Sequence, residues 1–276
     1  MYPCRVKKRT MAREVVGALA EEGLDFFTPA DIAELMGIPE QRAREVAARL
    51  ATANLARRVR RGLYAALPPT DWRDEAGFGV DWYVTATQLA GQLPHFLAYY
   101  TAMGINQMTQ HPLRTVFVAV QGQRRDVEVG PARFRFITLA ERKFFGHEPR
   151  KVDQWRVPVA DLERTLIDCV DRPDLCGGLE EIFRAYQRRH EDIREEQVLK
   201  YLDRFGEPSA VKRVGFLLEA VGHGKPTLMW ELARRATQHR RYVPLVKGLA
   251  VPGQRDKRWG LIIPEQLRQL VRAAPS

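Results

Sequence analysis

Cysteine is scarce in this sequence: Cys4, Cys169 and Cys176 are its only three in 276 residues. An odd, scattered set excludes a disulfide framework and lacks the paired spacing of a zinc cluster. The six histidines, His95, His111, His147, His190, His223 and His239, show no ligand spacing either, so neither a metal site nor a cofactor is expected. Nowhere does an apolar run reach the ~20 residues that span a bilayer. The basic start, Met1 to Arg13, is not followed by the apolar segment and cleavage site of a secretory signal. A cytoplasmic protein is the expectation. Lysine is sparse too, supplying nine of the 44 basic residues, the others being arginine.

What the chain has in excess is positive charge. Lys and Arg number 44 against 34 Asp and Glu, giving +10 and an isoelectric point near 9.8, which favours a polyanionic partner. A GC-rich coding sequence enriches arginine and alanine as well, so the charge acquires meaning only from where it sits. A hydrophobic content of 45% supports a folded core, and the length exceeds one ordinary domain, so two are expected.

Met11, Val15, Val16, Leu19 and Ala20 recur at helical spacing before Gly23, predicting a first helix over 11–22. Thr28-Pro29-Ala30-Asp31 combines an N-cap, a first-turn proline and an acid at N3, the signature of a capped second helix with Ile32, Leu35 and Met36 inward. Gly37-Ile38-Pro39 breaks that helix and opens a third, to about Asn54. Ala43, Val46, Ala47 and Leu50 form its buried stripe, which leaves Gln41, Arg42, Arg44, Glu45 and Arg49 outside it. Leu55 to Leu67 then alternates around Arg60-Arg61-Gly62 and predicts a β-hairpin, closed by Pro68 and Pro69.

The expected fold class is α+β: an N-terminal winged helix-turn-helix over residues 1–70, a linker at 71–80, and a larger mixed α/β C-terminal domain over 81–276. In that second part the pattern predicts helices at 82–93 and 96–104 and strands at 115–120, 126–129, 134–139 and 155–159. Helices follow at 162–170, 178–189, 194–205, 208–221 and around 227–237. Late strands at 242–246 and 259–263 and a terminal helix complete the prediction.

A helix entering the major groove beside a basic hairpin is the docking logic of a winged helix-turn-helix. Gln41, Arg42 and Arg44 open the candidate recognition helix, where glutamine suits adenine and arginine suits guanine edges. Arg49 lies farther along it. Arg57, Arg58, Arg60 and Arg61 on the wing suit phosphates, and Lys7, Lys8 and Arg9 suggest a cationic arm. A solvated basic face on a protein-binding module is the plainer alternative. Against it, residues 1–70 hold twelve Lys and Arg and eight acids, and four of the twelve fall within Arg57 to Arg61.

Enzymatic features are weak, and no catalytic residue is expected. Asp126, Glu128, Glu141 and Lys143 loosely resemble the acids and lysine of metal-dependent nucleases, but Glu141 and Lys143 sit at or past a strand end. Gly177-Gly178 and Gly222-His223-Gly224-Lys225 lack the strand and Lys-Ser/Thr helix of a phosphate-binding loop. Asp161 to Val170 reads as a packed helix with acids at its positive end, its Glu163 and Arg164 either pointing outward or forming a buried pair.

The residues also resemble a known family, the AbiEi-type antitoxins. Thr28 to Leu67, ending in Arg61-Gly62-Leu63-Tyr64, is similar to that family's winged-helix module. Phe144-Phe145-Gly146, Val159 to Asp168, Arg172-Pro173 and Gly177-Gly178 follow in the order of its C-terminal domain. Tyr201-Leu202, Phe205-Gly206, Val214 to Leu218 and Trp259-Gly260-Leu261 extend the likeness. Near Thr101 to Gly104 the sequence departs from it, with Gly104-Ile105-Asn106 in place of a His-Gly-Leu turn. The resemblance implies a non-enzymatic antitoxin of a type IV toxin-antitoxin, or abortive-infection, system of phage defence. Such a protein binds inverted repeats of double-stranded DNA in its own promoter and represses the operon. It counteracts a nucleotidyltransferase-type toxin without a stable complex. The alternative is a ligand-sensing winged-helix regulator unrelated to a toxin.

Overall fold

The computed structural model describes residues 3–67, 81–111, 114–152, 154–239, 241–247, 253–267 and 269, with the side chains of 3–10 left out. The expected linker at 71–80 lies outside the described residues. Contacts divide the chain into two units, Met1–Gly91 with Asp126–Phe134, and Gln92–Arg125 with Arg135–Ser276. The architecture is mixed α+β.

In the first unit, α1 (Pro3–Glu21) begins eight residues before its predicted start, so the stretch expected as a cationic arm, residues 7–9, is helical backbone. β1 (Phe26–Phe27) leads into α2 (Pro29–Met36). Here the Thr28 hydroxyl accepts from the Asp31 amide while the Asp31 carboxylate accepts from the Thr28 amide. The two bonds satisfy amides that a helix start leaves orphaned. At the other end Gly37 takes φ +61, a left-handed conformation that closes α2 and turns the chain toward α3 (Glu40–Thr52). β2 (Ala56–Arg60) and β3 (Leu63–Ala66) form the hairpin, and with β1 they make an antiparallel sheet of order β1-β3-β2. Val15, Leu19, Ile32, Val46, Leu50 and the stacked rings of Phe27 and Tyr64, 5.6 Å apart, hold helices and sheet together. α4 (Trp82–Ala90), capped by Asp81, lies in the same unit.

The larger sheet has the order β6-β7-β5-β4-β9-β8. Its strands are β4 (His95–Leu97), β5 (Thr115–Val120), β6 (Val127–Val129), β7 (Ala132–Thr138), β8 (His147–Val152) and β9 (Trp155–Ala160). β4 runs parallel to β9 and antiparallel to β5. Two sequence expectations are corrected here. Phe96 and Leu97 belong to β4, so the helix predicted over 96–104 is α5 (Tyr99–Ile105). β8, unanticipated, is a charged edge strand that pairs with β9 along its whole length.

Helices α6 (Leu162–Asp171), α7 (Gly178–Arg189), α8 (Glu195–Phe205), α9 (Pro208–Ala220) and α10 (Pro226–Thr237) follow. A small sheet β10-β12-β11 joins β10 (Val243–Pro244), β11 (Gly253–Asp256) and β12 (Leu261–Pro264). The predicted strand at 259–263 therefore starts later, Trp259 lying in the turn before it, and the expected terminal helix falls largely outside the described residues.

α6 is buried on every side from Leu162 to Val170, charged residues included. Arg164 and Asp168, 1% and 2% exposed, form an ion pair at 2.9 Å. Nη1 of Arg164 also donates to the Lys143 and Phe145 carbonyls at 2.5 and 3.1 Å. Its guanidinium faces the rings of Phe96, Phe145 and Phe205. Glu163, equally buried, accepts two side-chain bonds and one amide bond from Arg194. Of the two arrangements open for Glu163 and Arg164, burial is the one adopted, each with a different partner.

Trp259 is fully buried against Gly215 of α9, where an added Cβ would overlap the indole ring. Gly215→Ala is accordingly expected to cost about 1–3 kcal/mol, as overpacking does, read as a lower urea midpoint at unchanged slope. Combined with Trp259→Leu its effect should fall below the sum of the two single changes. Additive losses would mean the two residues do not touch.

Candidate nucleic-acid interface

α3 turns one broad face to solvent. At about 100° per residue, Arg44, Ala48, Gln41, Glu45, Arg49 and Arg42 follow one another around it, all exposed, opposite the buried Ala43, Val46, Ala47 and Leu50. Gln41 lies near its middle, with Arg44 toward one side and Arg42 and Arg49 toward the other. Two of the cations already have partners: Arg44 Nη2 meets Glu40 at 2.7 Å and Arg49 Nη2 meets Glu45 at 3.5 Å. Exposed pairs of this kind contribute well under about 1 kcal/mol, so a stronger anion can take either arginine.

The wing arginines separate into two groups. Arg58, Arg60 and Arg61 are exposed. A register shift between Arg58 and Arg60 bulges the strand and leaves Val59 buried between two exposed cations. Gly62, at φ +75, makes the tight return into β3. Arg57 is half-buried, its guanidinium against Gly130 in the turn between β6 and β7 of the same unit. Of the eight residues singled out in the sequence, seven present their side chains to solvent and Arg57 packs within the unit.

The nuclease-like residues assemble nothing comparable. Lys143 is engaged by Asp171 at 3.1 Å and Glu207 at 3.4 Å, and its ammonium sits 4.1 Å from the centre of the Phe205 ring. Asp126 pairs with Arg133 at 3.7 Å, and Glu141 is exposed. Among the described residues no group of three or more His, Cys, Asp and Glu could hold a metal ion, and no helix is long and apolar enough to cross a membrane. The glycine stretches serve turns: Gly222, at φ +74, follows α9, and Lys225 pairs with Glu195 at 3.3 Å.

Asn106, which follows α5, is buried and donates to the Ala160 carbonyl and the Thr165 hydroxyl. It thereby ties the end of α5 to the start of α6.

These observations define a class before any comparison: a three-helix module with a small antiparallel sheet and a cationic exposed face, carried on a larger α+β chain. Residues 15–66, which span that module from α1 through β3, match the family model described as transcriptional regulator, AbiEi antitoxin. The match identifies the family that the sequence resembles, a family of regulators and not of enzymes. No curated protein matches the chain. Among solved structures, the RV2827C protein from Mycobacterium tuberculosis is similar in fold, with a TM-score of 0.70 at 17% identity, over 95% of this chain and 94% of that one.

One buried group gives a pH prediction. His223 is buried, and the His190 ring lies 5.9 Å away at 78°. Burial, then the neighbouring His190, holds its pKa below the ordinary imidazole value of 6.5, with Glu195 opposing and Lys225 reinforcing the shift. The folded state therefore keeps His223 neutral while the unfolded chain takes up a proton below about pH 6.5. Stability present above that pH is lost as the pH falls through it. Urea midpoints at pH 7.5 and 5.5 should show the loss, and His223→Phe should shrink it. A residual slope is expected from His147, which burial and Arg164 also hold low. An unchanged slope in the variant would contradict a neutral buried His223.

Proposed function

We propose that residues 1–70 act as a winged helix-turn-helix that binds inverted repeats in the chain's own promoter and represses that operon. Residues 81–276, on this reading, form the antitoxin domain, which counteracts a nucleotidyltransferase-type toxin without holding it in a stable complex. The protein is then the autorepressing antitoxin of a type IV, abortive-infection system, acting in the cytoplasm. The observation that carries the proposal is a coincidence of position. The segment that matches the antitoxin-regulator family is the segment in which α3 and the β2–β3 hairpin expose Gln41, Arg42, Arg44, Arg49, Arg58, Arg60 and Arg61.

The assigned roles follow from reach and chemistry. Gln41, Arg42 and Arg44 stand in the first turns of α3, where side chains meet base edges in the major groove. Arg49 and the wing cations meet phosphates and set the salt dependence. Arg57, packed on Gly130, holds the wing in place more than it reads DNA. A second reading, a ligand-sensing regulator unrelated to a toxin, draws on the cationic cleft described below and requires DNA affinity to change with an effector.

Binding of the purified chain to its promoter across a salt series tests the proposal. Arg42→Ala and Arg44→Ala should each weaken specific binding by about 1–3 kcal/mol, roughly 5-fold to 150-fold. Arg60→Ala and Arg61→Ala should each lower the slope of log affinity against log salt by about one phosphate's worth. Equal affinity for promoter and scrambled duplex at every salt would overturn specific repression.

A further inference from the structure

A second concentration of positive charge lies outside the proposed DNA-binding module. Residues 232–260 hold eight Lys and Arg against a single acid, Asp256. Four of the eight have carboxylate partners. Arg234 and Arg235 share Glu231, Lys247 meets Asp171 at 2.7 Å, and Arg258 meets Glu219 at 2.7 Å. Arg255 stacks 5.3 Å over the Tyr242 ring, and Arg241 and Lys257 are exposed.

Within the second unit these elements enclose a cleft of about 210 Å³, lined by Thr237, His239, Tyr242, Lys257, Arg258 and Gly260 among others. Its floor is built. Lys212 of α9, 1% exposed, donates to the backbone carbonyls of His239 and Arg241 at 2.6 and 2.7 Å, which fixes the stretch that presents His239 and Tyr242. Its Nζ lies 2.8 Å from where a Cβ on Gly260 would stand, immediately behind the lining. This buried ammonium meets carbonyl oxygens only and has no ion-pair partner among the described residues. A buried charge without a counter-ion is costly and strengthens the local attraction for an anion. The nearby acids do not cancel it: Glu219 is engaged by Arg258 and the Trp259 indole N–H, and Asp256 caps the turn through the Trp259 amide. The Thr237 hydroxyl donates within α10 to Arg234, so the donors left to the cleft are the side chains of Lys257, Arg258, His239 and Tyr242.

We propose that this cleft binds a phosphate monoester, the terminal phosphoryl group of a nucleotide or sugar phosphate. A concave site of this volume suits a compact dianion with a sugar behind it, whereas a duplex backbone offers singly charged diesters along a convex ridge. The proposal stands whether or not the N-terminal module binds DNA.

Calorimetric titration of the full chain with adenosine 5′-monophosphate, adenosine, inorganic phosphate and a short duplex without terminal phosphates tests it. The monophosphate and inorganic phosphate should bind and adenosine should not. Lys257→Gln should weaken both by about tenfold, which is about 1.4 kcal/mol, with Lys257→Arg retaining most of the affinity. Lys257 is exposed, so the variants should match the parent in circular dichroism and thermal midpoint. Adenosine binding as well as its monophosphate, no heat from either phosphate at millimolar concentration, or phosphate binding indifferent to Lys257→Gln would each overturn the assignment. So would a duplex that displaces the monophosphate with higher, Lys257-dependent affinity, which would give the cleft to a phosphodiester backbone.

Discussion

A guanidinium buried with one carboxylate sets the terms for the larger unit. Arg164 is shielded from solvent, so its donors must be met by protein: Asp168 along α6, and the Lys143 and Phe145 carbonyls in the connection between β7 and β8. Three aromatic rings surround its face. Asp168 in turn is wholly buried, and burial pushes its carboxyl up to about 6 against the pull of Arg164. Such a pair contributes little net energy compared with apolar replacement, but losing either partner strands the other. Segments distant in sequence, 143–146, 161–168 and 201–205, are thereby obliged to meet in one arrangement.

That obligation gives the short stretches singled out in the second unit a physical meaning. Gly146 lies where a Cβ would strike Arg164, Tyr201 donates to the Asp161 carboxylate at 2.6 Å, and Phe205 lies against the guanidinium. Gly215 and Trp259 form a second such contact, a glycine making room for a ring. In sequence these are isolated short words with no chemical theme. In the fold they surround two large buried side chains, and their spacing records the path of the chain between those contacts.

How much could be read in advance depended on how local each signal was. The cap on α2, the stop at Gly37 and the turn at Gly62 are written within a few residues, and the first unit's helices and hairpin were legible from them. β4 is three residues long and stabilised by its neighbours, so Phe96 and Leu97 looked like the start of α5. β8 carries the charges of an edge strand and is enforced by β9, leaving no apolar alternation to find. Arg57 resembled its wing neighbours because only the β6–β7 turn distinguishes it. The cationic cleft joins α9, the end of α10 and the β11–β12 turn, and nothing short of the fold brings them together. The charged residues on the exposed face of α3 were legible in advance, since a helix stripe fixes its own reverse side.

The two ion pairs along α3 have a further consequence for the proposed interface. Glu40 and Glu45 each occupy an arginine while the protein is free, acting as tethered competitors at high effective concentration. A stray phosphate must displace a resident carboxylate for a modest gain. A site that offers both base edges and phosphates in register recovers that loss several times over. Weak pairs that add almost nothing to folding can in this way penalise indiscriminate association, so that on the proposed reading selectivity would rest partly on the acids of α3 and not only on its arginines.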